Sequence, residues 1–496
     1  MTTETTDPTK IARSEESAGN SRPSASGQDL AAQPTLSARL AAFVSAAVEN
    51  LPERIRQDSL ARVTDTLGIS LAARDTEPAQ VILDLVRSWG GAAQASVFGS
   101  PDKLPAPAAA LANGTMAHAL DFDDTHVPSI LHPSASVVPA ALAAAEESGA
   151  DGATFLAAVA VGNEIAIRLG MAAHDDDLNN NVFFERGFHA TSICGAIGSA
   201  AAAAAAYGLN EEQIRHAMGI ACSMGAGLLE ANRTGGTVKR VHCGWAAHSG
   251  VIAAQMSARG ITAPDSVLEG RFGFFNAYTG IHPMSPRFLD GLGEDWELDN
   301  CFMKPYPTNV FTHTGIDAAR ALAAEGIRPE DIERVDLSVP MAVTRTIAEP
   351  RDAKISPKSP YHAQFSGPFT FAIAFHGGTG LGVYLDDFTQ ETLGSESIRR
   401  LAAAVHYVRD AECEAIYPRH FPTIARVTLS DGRKIERKVL TNLGTVDRPL
   451  TAEQVRLKFD LNIRCVGAHN AALLSDRLDA LPGSADVREL FASIDW

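Results

Sequence analysis

Apolar residues recur along the first half of the chain at helical spacing. Leu36, Leu40, Phe43, Val44 and Ala47 fall on one face of a 3.6-residue period, and Ala-rich segments punctuated by Gly and Pro continue to about Gly280. Asp151 to Thr154, leading into residues 155–162, predicts a turn that feeds a buried helix. Asn210, followed by Glu211, Glu212 and Gln213, predicts a capped helix start that continues to Cys222. Around Cys301 the pattern changes. Residues 333–340 alternate with period two and predict a strand, and residues 425–430 and 433–440 flank Asp431-Gly432, the mark of a tight hairpin turn. Helical spacing returns after Thr451-Ala-Glu-Gln454. Residues 1–35 are rich in Ser, Thr, Pro, Glu and Gln and hold too few large apolar side chains to offset the entropy of ordering, so they predict a disordered tail. The pattern therefore predicts a mainly α chain: helical residues 36–298, a separate α+β domain over 299–446, and a helical tail, 447–496, that packs back onto the first part.

Composition narrows the function. Of 496 residues, 45% are apolar and 20% charged, which suits a globular chain. Lys plus Arg number 42 against 59 Asp plus Glu, and the net charge of −17 opposes nucleic acid and anionic membrane while leaving a local cationic pocket possible. The small-residue run ending at Ala206 is too short and too weakly apolar to span a bilayer, so no membrane partner is expected. The N-terminal stretch has no apolar segment of signal-peptide length, and its acids argue against a mitochondrial leader, so the expected location is the cytoplasm. Cys194, Cys222, Cys243, Cys301, Cys413 and Cys465 lie far apart with no Cys-x-x-Cys pair, and neither a structural metal nor an iron–sulfur cluster is expected.

Four segments could carry chemistry. In residues 120–134, three carboxylates (Asp121, Asp123, Asp124) and the histidines His126 and His132 interrupt an Ala-rich region, the raw material for acid–base catalysis if buried and equally consistent with a solvated capping loop. Arg186-Gly187-Phe188-His189 puts a histidine where an Ala-rich helix begins, beside free backbone donors that suit an anion. Thr234-Gly235-Gly236-Thr237-Val238-Lys239-Arg240-Val241-His242 joins flexible backbone to fixed positive charge, without the Walker frame, and suits a carboxylate better than a nucleotide. Lys304-Pro305-Tyr306-Pro307, with His313 following, lies where the helical pattern gives way to the mixed one, and interdomain crevices commonly hold ligands.

These four segments, in this order and spread over residues 36–480, resemble the MmgE/PrpD superfamily, which contains 2-methylcitrate dehydratases, cis-aconitate decarboxylases and iminodisuccinate epimerases. The resemblance implies a large all-helical domain with an inserted α+β lid, a homodimer, no metal or other cofactor, and a small di- or tricarboxylic acid as substrate. It places the catalytic set on Asp121, His132, His189, Lys239 and Lys304: the lysines as carboxylate clamps, the histidines as base and acid in either order, and Asp121 as the group that orients one of them. Arg240, Tyr306 and His313 are expected to touch substrate. Thr344 stands where a tyrosine is expected in the decarboxylases, and the Asp121–His132 spacing is one residue longer than in the animal decarboxylases. The expected reaction is therefore hydro-lyase chemistry on a 2-methylcitrate-like hydroxy acid, with decarboxylation or epimerisation as alternatives.

Overall fold

The structure, a computed structural model, describes residues 34–175, 180–231, 236–280 and 286–496. The expected disordered tail lies almost wholly outside the described residues, as do Thr234 and Gly235. Helices α1 (Leu36–Glu49) and α2 (Glu53–Ala73) open the described chain. There follow α3 (Ala106–His118), α4 (Ser134–Ser148), α5 (Gly152–Met171), α6 (Ala190–Ala206), α7 (Glu211–Ala221) and α8 (Val238–Ala258). Local sequence sets their starts. Asp151 accepts from the Thr154 amide at 2.7 Å, and Asn210 and Gln213 close a reciprocal capping box, so amides left unpaired at each first turn find a side chain.

Helix α6 lies at the centre, packed on α4, α5 and α8, and every residue in it is buried. Small side chains make this possible. A methyl on Gly198 would sit 2.4 Å from the carbonyl oxygen of Gly162 on α5, and one on Gly244 of α8 would sit 2.3 Å from the Leu111 carbonyl oxygen of α3. Backbones that approach this closely exclude larger residues, which is why the Ala/Gly pattern reads as packing instead of insertion. Helix α5 is the one described helix long and apolar enough to cross a membrane, and it too lies inside this bundle.

Beyond Cys301 a second apolar cluster forms, built on a four-stranded sheet. Its strands are β1 (Ile332–Val339), β2 (Val405–Arg409), β3 (Thr423–Leu429) and β4 (Lys434–Val439), in the order β4-β3-β1-β2. Strands β3 and β4 are the expected hairpin across Asp431-Gly432, β1 is antiparallel to β3 and parallel to β2, and Val335 faces both Val427 and Val405. Helices α9 (His313–Ala324), α10 (Gly367–Phe375) and α11 (Glu396–Ala404) pack with this sheet and with each other, burying Ile316, Leu322, Phe369, Phe371 and Leu401. The chain then returns through α12 (Ala452–Ile463) and α13 (Ala468–Ala480), whose Phe459, Ile463, Leu474 and Leu478 join the core of the helical bundle. Residues 35–496 thus form a mainly α unit with two separate large cores.

The α3–α8 crossing positions the polar residues discussed below, because His118 lies one turn from Gly114 and His242 two residues from Gly244. Substituting Gly244→Ala drives a methyl into backbone and into Thr115 Oγ1, 2.4 Å away. Thermal and denaturant unfolding should show a loss of about 1–3 kcal/mol. An unchanged midpoint would mean that the crossing can widen at no cost.

Candidate active site

Helix α3 ends at His118, and the chain turns sharply through Asp121, whose φ of +53° lies in the left-handed region that Asp tolerates better than most side chains. Residues 125–126 then pair antiparallel with Cys301 and Phe302, which carries Lys304 alongside the turn. A tight loop follows, with His126 and Leu131 exchanging backbone hydrogen bonds, and returns the chain so that His132 faces back toward the same carboxylates.

Two lysines meet at Asp121. Lys239 Nζ donates to Oδ1 at 3.1 Å, while Lys304 Nζ donates to Oδ2 at 3.1 Å and to the Asp121 carbonyl at 2.8 Å. Burial opposes ionisation of Asp121, but Lys304 and Lys239 outweigh it and hold the carboxyl far below the usual range. Burial likewise opposes the charge on Lys239, and Asp121 overcomes it, so Lys239 stays protonated. Two cations around one anion leave a net positive charge. Counting three protons per ammonium, Lys239 keeps two donors and Lys304 one for a further acceptor.

Four imidazoles line up beside this cluster. Ring centroids are separated by 5.3 Å from His132 to His118, 5.7 Å from His118 to His189, and 5.1 Å from His189 to His242. His132 Nδ1 lies 2.8 Å from the Asp124 carbonyl oxygen, which can only accept, so that nitrogen carries the proton and Nε2 presents a lone pair. Burial pushes its pKa down to about 4, with Asp123 opposing and Lys304 reinforcing. His189 caps the start of α6 and is held well below its ordinary range by burial, then by Lys239 and His118. Both are neutral bases at neutral pH.

The expected role of Asp121 as the orienter of a histidine is corrected here, because both of its carboxylate oxygens are engaged by lysines. That geometry belongs to Asp123, whose Oδ2 lies 2.7 Å from His118 Nδ1 and 3.9 Å from His132 Nδ1. Burial resists its ionisation, and His118 and His132 hold it well below the usual carboxylate range. Asp124 is braced by Arg62 at 2.8 Å and by the Ser134 hydroxyl at 2.6 Å.

The expected substrate contacts differ in their placement. Arg240 stacks its guanidinium 3.9 Å over the ring of Tyr361, which joins the helical part to the mixed part. Tyr306 points into the second core: its ring is fully buried there and its hydroxyl donates to Asp317. His313 is buried with Nε2 on the Thr308 carbonyl at 3.2 Å, and burial followed by Lys304 pushes its pKa down to about 3. Thr344 gives its hydroxyl to the Met341 carbonyl of its own helix at 2.8 Å.

The expected catalytic set leaves out Asp123, Thr125 and His242, although the candidate segments contain them, and His118 lies outside all four segments. Thr125 Oγ1 reaches His132 Nδ1 at 3.1 Å, and His242 Nδ1 lies 3.0 Å from His189 Nδ1. The available signal was position: His118 ends an apolar helix three residues before Asp121, and His242 follows Lys239 by three, on the same helix face. His118, Asp123 and Cys243 also offer ligand atoms within 4.8 Å of one another. Asp123 and His118 already satisfy each other, and burial, with Asp123 beside it, raises the Cys243 thiol well above its ordinary range. The trio fits a neutral thiol packed against a hydrogen-bonded pair better than it fits a metal centre.

Two family domains and several named relatives match the chain. Residues 38–287 match the MmgE/PrpD N-terminal domain, and residues 306–479 match the MmgE/PrpD C-terminal domain. The chain is 30% identical over 435 residues to a cis-aconitate decarboxylase of Homo sapiens, covering 84% of this chain and 85% of that protein. It is 29% identical over 434 residues to the cis-aconitate decarboxylase of Mus musculus, covering 84% of each. A cis-aconitate decarboxylase of Aspergillus terreus is 29% identical over 303 residues, 59% of this chain and 60% of that protein. Two domain matches in order, over nearly all the described chain, show that the chain belongs to the MmgE/PrpD family.

Proposed function

We propose that this protein is a lyase that breaks a bond beside a carboxylate in a small di- or tricarboxylic acid, and that its reaction is decarboxylation of cis-aconitate or a close analogue. The observation that carries the class is Asp121 held between Lys239 and Lys304 beside two neutral histidines. The relatives named for cis-aconitate decarboxylation support that reaction over the hydro-lyase chemistry expected from sequence.

Only the carboxylate form of an acid releases CO2. The His132 Nε2 lone pair keeps the departing carboxyl ionised. As the C–C bond breaks, its electron pair moves through the alkene to the carbon next to another carboxylate, and the free Lys239 and Lys304 donors stabilise the charge that collects there. His189 delivers the proton that closes that carbon. Charge stabilisation by fixed donors in a buried site is commonly the largest catalytic contribution.

One observation favours a second reading, elimination of water from a hydroxy acid. Such an elimination uses a base and an acid together, which His132 and His189 provide, and Thr344 supplies no phenol. Proton NMR in deuterated buffer separates the readings. Cis-aconitate should give an itaconate-type product with one solvent deuteron at carbon, whereas an alkene formed from 2-methylcitrate or citrate would establish dehydration. Solvent exchange or epimer formation from iminodisuccinate would point to an isomerase, and inactivity toward all four acids would refute the substrate class.

Variants give further expectations. Lys239→Gln removes a charged donor and should raise KM by roughly tenfold or more. His132→Asn should lower kcat at least about 100-fold while ligand still binds. The His132 ring should titrate near pH 4 by NMR, because its neutral form is the one stabilised in the fold. Catalysis by its neutral form should therefore persist through neutral pH and fail as pH approaches that value. A His132 titration near 6.5 would contradict its role as a buried neutral base.

A further inference from the structure

While substrate fills the site, the proton that His189 gives to carbon has to be replaced through the protein, because His189 is almost fully buried. Among the described residues its Nδ1 meets no carboxylate or carbonyl. It faces the Nδ1 of His242 at 3.0 Å. Burial, then His118 and Lys239, pushes His242 down to about 4, and burial with Lys239 and His118 holds His189 well below its ordinary range, so both rings are neutral at neutral pH. Two neutral imidazoles joined through the same nitrogen cannot share a tautomer: one donates from Nδ1, and the other accepts there and carries its proton on Nε2. The pair is built for this contact. Gly227 lies against both residues, and a methyl on it would be 3.3 Å from His189 Cβ and from His242 Nδ1. Ser192 fixes the His242 carbonyl at 3.0 Å, and the His189 amide donates to the Gly227 carbonyl at 3.0 Å. His242 is also on the outward side of the pair. Its neighbours on the same face of α8, Val238 and Trp245, are 55% and 42% exposed.

We propose that His242 is a relay residue that passes solvent protons to His189 through the Nδ1–Nδ1 hydrogen bond. The proposal rests on the reading of His189 as the acid. In the starting arrangement His242 donates from Nδ1 and His189 holds a proton on Nε2. His189 gives that Nε2 proton to the substrate carbon, and takes the Nδ1 proton of His242 across the bond. His242 takes a proton from water at Nε2. One solvent proton has then entered, one has reached carbon, and neither ring has become an anion. Both rings now hold the opposite tautomer; once product has left, water in the emptied site protonates His189 Nε2, His189 returns its Nδ1 proton to His242, and His242 releases its Nε2 proton to water, which restores the start. No electron transfer or co-reactant is involved.

The test uses the full-length protein. His242→Ala should lower kcat at least tenfold with KM changed less than about twofold, and added imidazole should restore much of the loss by filling the vacated space. The solvent deuterium isotope effect on kcat should rise as proton delivery becomes limiting. His242→Asn, which keeps a hydrogen-bond donor but cannot relay, should stay slow. Unchanged kcat in His242→Ala, or full activity in His242→Asn, would overturn the relay and leave at most a positioning contact. Nitrogen-15 shifts of the two rings in the free protein should show opposite tautomers, and identical tautomers would overturn the proposal without any substrate. If the wild type turned over none of the acids while the rings showed opposite tautomers, the function and not the dyad would have failed.

Discussion

Three aspartates buried within four residues set the terms for this structure. A buried carboxylate is tolerated only with a cation or several donors beside it, and the three carboxylates of residues 121–124 take four partners at once. Each partner arrives from a different part of the chain. Lys239 comes from the start of α8 and Lys304 from the segment after Phe302, both to Asp121, while His118 at the end of α3 meets Asp123 and Arg62 of α2 meets Asp124. Lys458 of α12 reaches the Phe122 carbonyl at 3.2 Å and pairs with Asp65 at 2.7 Å. The acidic turn is therefore the knot that ties the first helices, the entry to the mixed α/β part and the returning C-terminal helix. Its ionisation and the assembly of the fold are one requirement.

The knot can close only because the helices around it approach closely. Glycines at the α3–α8 and α5–α6 crossings and alanines throughout α6 leave room for backbone near backbone, so four imidazoles from α3, α6, α8 and the loop before α4 lie with ring centroids 5.1–5.7 Å from their neighbours. The same packing removes water, which is what keeps His132, His189 and His242 neutral while Lys239 stays charged against Asp121. A site holding fixed positive charge and uncharged bases at neutral pH suits a polyanionic acid whose bond breaking places more negative charge beside a carboxylate.

Much of this was legible in the chain alone. Period and capping chemistry determined that the first half is helical: Thr35, Asp151, Asn210 and Thr451 cap helices with their own side chains, and Asp431-Gly432 turns the hairpin between β3 and β4. These are local effects, settled by neighbours within a few residues. The clustering of Asp121, His132, His189, Lys239 and Lys304 was also legible, through the resemblance that their four segments carry together. Tertiary structure alone decided which group meets which. Asp121 took the lysines and left Asp123 to His118, Tyr306 turned its hydroxyl to Asp317, and His189 found His242. The pairs at Asp121 and between the two histidines join residues tens to hundreds of positions apart, and the choice among chemically similar partners turns on where each helix places its side chains. Spacing along the chain does not encode that placement; the packing of whole helices does.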